Sequence, residues 1–389
     1  RGQVEPPSAL SAAACWSAAA GRFASVSPRG PAPARPRYAA TMQPQAVSAQ
    51  CEARRPPPEP EVVLRGHLAD VQAVAFHTDP EGRRRLFSGD ADGEVKAWEL
   101  ETMRTCSCIR AAGVGITSLT PSRDGAKLLS QTRDGGVTVL ECQPDGQLTS
   151  GSPADAIHTG AYNFCRVAVL WGGHAALGGG APLLATAGAD PAVAEVWDLA
   201  AHERLLELGQ PGNPYGMCMA LALFAAPGGS LLLLVGYEDG TVALWDCGDP
   251  GQPLAVLPRL HAEPVMSVAV DALGEGAVTC AADKLVARLS MHAEAPGSGK
   301  LQLQVARSAE LPTPGAASVA IRPDRRIFAI GAWSGDTWVY SYKKCAPLAR
   351  LAYHSAGVTH VAFSNQGDGV LASASRDSTI ALWRLYPPP

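Results

Sequence analysis

Along most of the chain, apolar residues alternate with polar ones in short runs, and Gly, Pro and Asp break the runs. Such period-two alternation marks strands with one face buried. Glu94-Val-Lys-Ala-Trp98 is one example. Leu231 to Val235 is apolar throughout, which fits a strand buried on both faces. No run approaches the roughly eighteen apolar residues of a membrane-spanning helix.

The runs recur. Ser88-Gly-Asp-Ala-Asp-Gly-Glu-Val-Lys-Ala-Trp98, Val235-Gly-Tyr-Glu-Asp-Gly-Thr-Val-Ala-Leu-Trp245 and Ser373-Ala-Ser-Arg-Asp-Ser-Thr-Ile-Ala-Leu-Trp383 align without gaps. Each has a small-residue turn holding an Asp, then a strand, then Trp six positions after the Asp. Weaker copies run from Asp134 to Leu140, Asp283 to Leu289 and Ser334 to Tyr340. From Asp190 to Trp197 the spacing is one longer, which predicts a bulge or an extended turn. The seven turn positions are 92, 134, 190, 239, 283, 334 and 377, spaced by 42, 56, 49, 44, 51 and 43 residues. A four-stranded propeller blade takes roughly 40–45 residues, so three intervals carry insertions. Asp-Gly at 92–93 and 239–240 is hairpin-turn chemistry, because Gly accepts positive φ. Residues 61–386 are therefore predicted to form an all-β, seven-bladed β-propeller.

Seven copies in register, with the dipeptides Trp197-Asp198 and Trp245-Asp246, resemble the WD-repeat family. In that family a His, a Ser or Thr, the turn Asp and the Trp form a hydrogen-bonded set within a blade. The resemblance assigns His67, Ser88, Asp92 and Trp98 to the first set, and His354, Ser373, Asp377 and Trp383 to the last. The fifth copy keeps His261, Thr279 and Asp283 but has Leu289 in place of Trp. The two complete sets flank the seam where the ring closes, and the same resemblance implies that residues near Glu61 to Leu64 supply the outer strand of the last blade. Intact networks there would offset the cost of closing the longest loop.

Composition changes the picture only at the N-terminus. Residues 1–60 hold 32 Pro, Ala or Ser, seven Arg, three acids and no Lys, too few apolar groups to offset ordering entropy. Disorder is expected there, and Met42 is a candidate start, with 1–41 read as upstream sequence. The Ala, Ser and Arg content also suits a mitochondrial transit peptide, but a clear amphipathic period is missing. Elsewhere a net charge of −4 leaves no basic footprint for nucleic acid. Ten cysteines without a CxxC pair support neither zinc nor a disulfide framework, and a reducing compartment is expected.

Candidate chemistry reduces to binding. Gly297-Ser-Gly-Lys300 has Glu294 where a phosphate loop needs its first Gly, and Leu301 where it needs Ser or Thr. The glycines at 172–173 and 178–180 lack a βαβ context and mark an insertion, and Lys343-Lys344 reads as a solvated turn. HExxH and GxSxG motifs are absent, and the recurring histidines are accounted for by the structural network. A non-enzymatic chain without cofactor or metal is expected.

At finer grain, Gly236-Tyr-Glu-Asp-Gly-Thr-Val-Ala-Leu-Trp-Asp246, His261-Ala-Glu-Pro-Val-Met266, Ile321-Arg-Pro-Asp324, His354-Ser-Ala-Gly-Val358 and Leu382-Trp-Arg-Leu-Tyr386 resemble the G-protein β-subunit-like branch of the WD-repeat family. That resemblance implies a cytoplasmic and nuclear scaffold for the co-chaperone machinery that matures PI3-kinase-related kinases, and through it DNA-damage signalling. A G-protein γ partner is not expected, since the Pro-rich residues 42–60 carry no heptads. A ubiquitin-ligase substrate receptor is the alternative, weakened because Trp197-Asp-Leu-Ala200 and Trp245-Asp-Cys-Gly248 lack the Arg of a Trp-Asp-x-Arg motif. In propellers the residue before the turn Asp projects onto the narrow top face; here these are Ala91, Arg133, Ala189, Glu238, Ala282, Trp333 and Arg376. Arg133, Glu238, Trp333 and Arg376 are the candidate protein-binding set, since Arg and Trp anchor interfaces. A monomeric ring is expected.

Overall fold

The computed structural model describes residues 58–79, 81–150, 156–160, 164–177, 179–209, 213–293 and 301–386. Of the segment 1–60 expected to be disordered, residues 1–57, with the candidate start at Met42, lie outside the described residues, as does the Gly297–Lys300 stretch.

The described residues form seven small antiparallel sheets. The strands in chain order begin with β1 (Val62–Arg65), and blade 1 follows with β2 (Val71–Thr78), β3 (Arg84–Asp90), β4 (Glu94–Glu99) and β5 (Arg104–Arg110). Blade 2 has β6 (Ile116–Pro121), β7 (Lys127–Thr132), β8 (Gly136–Cys142) and an outer strand split into β9 (Leu148–Thr149) and β10 (Ile157–His158). Blade 3 has β11 (Ala168–Leu170), β12 (Leu183–Ala187), β13 (Ala194–Asp198) and β14 (Glu203–Leu208); blade 4 has β15 (Cys218–Ala225), β16 (Leu231–Tyr237), β17 (Val242–Asp246) and β18 (Ala255–Leu257). Blade 5 has β19 (Val265–Val270), β20 (Gly276–Ala281), β21 (Leu285–Ala293) and β22 (Leu301–Glu310). Blade 6 has β23 (Ala316–Ile321), β24 (Ile327–Ala332), β25 (Asp336–Ser341) and β26 (Pro347–Ala352). Blade 7 has β27 (Val358–Phe363), β28 (Val370–Ser375) and β29 (Thr379–Arg384), and takes β1 as its outer strand.

The ring is closed by that exchange. Val62 to Arg65 pair antiparallel with Leu382 to Thr379, and the Glu61 N–H donates to the Leu382 carbonyl at 2.8 Å. The outer strand expected near Glu61 to Leu64 is there, and Leu64 is buried beneath it.

The strands next to the inner edge, such as β12, β16, β20, β24 and β28, are buried at every position, so each blade has two covered faces, and only neighbouring blades can cover them. The core is accordingly seven wedges rather than one centre, one between each pair of blades. The Trp position explains why the repeat erodes without harm. Trp98 fills the wedge between blades 7 and 1, Trp197 packs against that between 2 and 3, Trp245 fills that between 3 and 4, and Trp383 that between 6 and 7. Leu140, Leu289 and Tyr340 occupy the same place in the other three, so bulk is kept where the indole is lost.

The long interval of blade 3 resolves as an extended turn. Leu184 pairs with Trp197 as Leu86 pairs with Trp98, so the strands keep register and the extra length lies between Ala187 and Ala194. Among the described residues no helix is long and apolar enough to cross a membrane.

Candidate functional site

The seventh blade holds its hydrogen-bonded set in the arrangement expected from the repeat. The Trp383 Nε1–H donates to Ser373 Oγ at 3.0 Å, His354 Nε2 lies 2.8 Å from the same oxygen, and His354 Nδ1 lies 3.0 Å from Asp377. Burial holds the His354 imidazole below its usual pKa against the pull of Asp377, so it is neutral at pH 7. Burial would raise the Asp377 carboxyl, but bonds from Thr379 and His354 outweigh it and hold the group below the usual range. In blade 5, His261 bridges Thr279 at 2.9 Å and Asp283 at 3.2 Å, while Leu289 supplies bulk alone.

Blade 1 departs from the sequence reading. Ser88 Oγ accepts from Trp98 Nε1 at 2.7 Å and lies 2.7 Å from His67 Nε2, but His67 Nδ1 meets Asp90 at 2.7 Å rather than Asp92. Because the Asp90 carboxylate can only accept, Nδ1–H donates to it, and in the neutral imidazole Nε2 then accepts from the Ser88 hydroxyl. Asp90 ends β3 with its side chain turned inward, and its other oxygen accepts the N–H groups of Asp92 and Glu94. Asp92 is left exposed in the turn. Two acids two residues apart fit the same motif, and only burial separates them.

Blade 4 solves the problem differently. With Val235 where the hydroxyl residue belongs, the Trp245 Nε1–H reaches Tyr237 Oη at 3.2 Å, and Tyr215 packs on Tyr237 with ring centroids 5.3 Å apart. The aromatic pair was missed in the sequence because it does not follow the repeat.

His67, Asp90 and Glu94 bring three potential metal-ligand atoms within 4.8 Å of one another. His67 Nδ1 already meets Asp90 and Lys96 Nζ lies 2.9 Å from Glu94, so a metal would have to displace both contacts.

One rim gathers the predicted binding residues. The backbone N–H groups of Ala91, Arg133, Glu238, Ala282, Trp333 and Arg376 each donate, at 2.9–3.1 Å, to the carbonyl just before the inner strand of the same blade. Those acceptors are Asp70, Gly115, Met217, Pro264, Gly315 and Gly357. This shared bond sets all six at the top end of their blades; Ala189 sits in the extended turn of blade 3. Trp333 lies with its ring over Gly315, where any Cβ would fall 2.3 Å from the indole, and is 41% exposed. The Arg133 guanidinium stacks 4.6 Å above Phe164. Arg376 is half-buried beside Asp70; burial lowers the arginine pKa and raises that of the aspartate, each opposed by the other's charge. Glu238 is exposed and accepts from the Met217 N–H at 3.3 Å.

The same rim exposes apolar side chains that the repeat pattern did not reveal. Leu68 (94% exposed), Val114, Phe164 and Met217 join Trp333 there, all four in loops that lead into inner strands. A search of the inter-repeat loops for large apolar residues just before each inner strand would have found them.

Comparison with known proteins agrees with this architecture. A family model for the WD domain, G-beta repeat, matches residues 58–99 and 345–384, the two copies that flank the seam. Guanine nucleotide-binding protein subunit beta-like protein 1 of Mus musculus is 33% identical over 340 residues, covering 86% of this chain and 98% of the mouse protein. The chain belongs to this family of WD-repeat proteins. Family members extend to fungi. ASTRA-associated protein 1 of Verticillium alfalfae is 31% identical over 336 residues, covering 79% of each chain. Its counterpart in Schizosaccharomyces pombe is 26% identical over 385 residues, covering 85% of this chain and 99% of the yeast protein.

Proposed function

We propose that this chain is a non-enzymatic scaffold that docks protein partners on its top rim and serves the co-chaperone machinery of PI3-kinase-related kinases. The observation that carries the docking reading is the rim itself, where Leu68, Val114, Phe164, Met217 and Trp333 are exposed among Arg133, Glu238 and Arg376. Aromatic and Arg anchors within an apolar patch are what a protein interface uses, whereas catalysis needs a cluster of polar groups poised for chemistry. The assignment to co-chaperone machinery rests on two supports: relatives named for association with ASTRA, and the resemblance already legible in the closing repeats. Work in both cytoplasm and nucleus, with DNA-damage signalling downstream, follows from the same reading, as does a ring that acts as a monomer.

The test is affinity purification with mass spectrometry, comparing the wild-type chain with an Arg133→Ala, Trp333→Ala, Arg376→Ala variant. Loss of a stoichiometric partner, with an unchanged melting temperature, is expected. Undiminished recovery of the partner would remove the rim as its site, and recovery of ligase subunits alone would replace the co-chaperone assignment.

A further inference from the structure

The inner strand of blade 3 is the shortest in the ring. β11 has three residues, and the segment before it is held by a side chain instead of a ladder: Gln131 Nε2 donates to the Cys165 carbonyl at 2.8 Å, and its Oε1 accepts from the Val167 N–H at 3.0 Å. Between those two residues lies Arg166.

Register places Arg166 in the ring. Ala168 pairs with Ala185, next to Leu184, the partner of Trp197; Ala362 pairs with Ala372, next to Leu371, the partner of Trp383. Arg166, two residues before Ala168, therefore corresponds to His360. The same count gives Ser318 in blade 6 and Ser267 in blade 5. These three side chains cap the free inner edge of the following blade. Ser267 Oγ accepts from Val319 N–H at 3.2 Å, Ser318 Oγ from Val361 N–H at 3.2 Å, and His360 Nδ1 from Val74 N–H at 3.1 Å.

Arg166 reaches further. Its Nε donates to the Thr117 carbonyl at 3.2 Å, Nη1 to Ala317 at 3.3 Å, and Nη2 to Thr359 at 2.9 Å and Gln72 at 3.4 Å. All four acceptors are residues that the ladders skip, one each in β6, β23, β27 and β2. A bulge residue lies outside the ladder register, which leaves these oxygens open to a side chain from across the ring. They belong to blades 2, 6, 7 and 1, and only blade 2 adjoins blade 3. The side chain thus spans the channel just beneath the top rim. Burial draws its pKa down to about 10, which leaves it cationic at neutral pH, and the four carbonyl dipoles partly offset the loss of hydration.

We infer that Arg166 is a strap across the channel that holds blade 3 in register with blades 6, 7 and 1, and so fixes the spacing between the two halves of the top rim. Phe164, stacked under Arg133, lies two residues upstream of the strap, while Trp333 and Arg376 ride on blades 6 and 7, whose inner strands it grips. Arg166 is a positioning residue; its consequence for binding rests on the docking reading above, but the strap does not.

Hydrogen exchange of the free full-length chain tests the strap. In Arg166→Gln, amides of β11, β23 and β27 are expected to exchange about ten-fold faster, while the outer strands β26 and β1 of the same far blades hold their rates. Arg166→Lys keeps the charge without the fork and should fall between; it carries the test if the Gln variant does not fold. Acceleration confined to residues 164–170, or spread evenly over all seven blades, would overturn the strap. The purification assay separates the second claim: faster exchange with full partner recovery would uphold the strap and remove its role in docking.

Discussion

Blade 1 allows a sharp test, because two aspartates two residues apart compete for one role. Asp90→Ala deletes the acceptor of the His67 Nδ1–H, a donor whose imidazole is 1% exposed. Leaving that donor unpaired costs about 2–3 kcal/mol, and the two turn N–H groups it also serves, which can turn to water, add about 1 kcal/mol. The sum is about 3–4 kcal/mol. Asp92→Ala removes an exposed carboxylate and should stay within about 0.5 kcal/mol. A domain of about 320 residues unfolds with an entropy near 0.7 kcal/mol per kelvin, so the expected drops in melting temperature are about 5 °C and under about 1 °C. Scanning calorimetry of the two variants, side by side with wild type, reads both. Equal drops, or a larger one for Asp92→Ala, would refute the placement and restore the turn aspartate as the His67 partner. Acid should act in the same direction. The Asp90 carboxyl would be raised by burial, but the bonds from His67 and the backbone hold it below the usual range. Its stabilisation is thus fully present above about pH 5 and is lost as the pH falls through and below the ordinary carboxylate range.

Three further outcomes follow from the packing. Burial and the neighbouring Arg166 push the His360 pKa down to about 3, so the folded state keeps it neutral while the unfolded chain protonates it below about pH 6.5. Stability is then lost as pH drops from 7.5 to 5, by about 1–2 kcal/mol, and His360→Ser, which keeps a cap for the Val74 N–H, should flatten melting temperature over that window; an unchanged slope would count against it. Leu64→Ala thins the seam wedge and should cost about 2–4 kcal/mol, read as a fall in melting temperature of about 3–6 °C. Gln131→Ala strips both backbone groups it serves in blade 3 and should cost about 2–3 kcal/mol in denaturant titrations, with little change in m-value.

Much of this was readable in advance, for a physical reason. A blade repeats because its faces must fit those of its neighbours, so spacing and alternation located the seven turns, and the family resemblance added the outer strand near Val62. What the sequence hid is what breaks the repeat. Asp90 and Asp92 are chemically alike and differ only in which one faces inward. Tyr237 replaces a hydroxyl two positions along the strand, so an in-register search passes over it. Arg166 lies in an insertion-lengthened interval, and its partners are main-chain carbonyls contributed by four other strands, which no motif encodes. The rim was half legible: the residue before each turn aspartate could be counted out, whereas Leu68, Val114, Phe164 and Met217 lie in loops of unequal length.

The central claim, that partners dock on the top rim, is tested most directly by hydrogen exchange of the purified complex against the free chain. Protection is expected in the loops at 66–70, 111–115 and 213–217 and in the turns at Arg133, Trp333 and Arg376. Protection confined to the outer strands, or to the opposite ends of the blades, would contradict it.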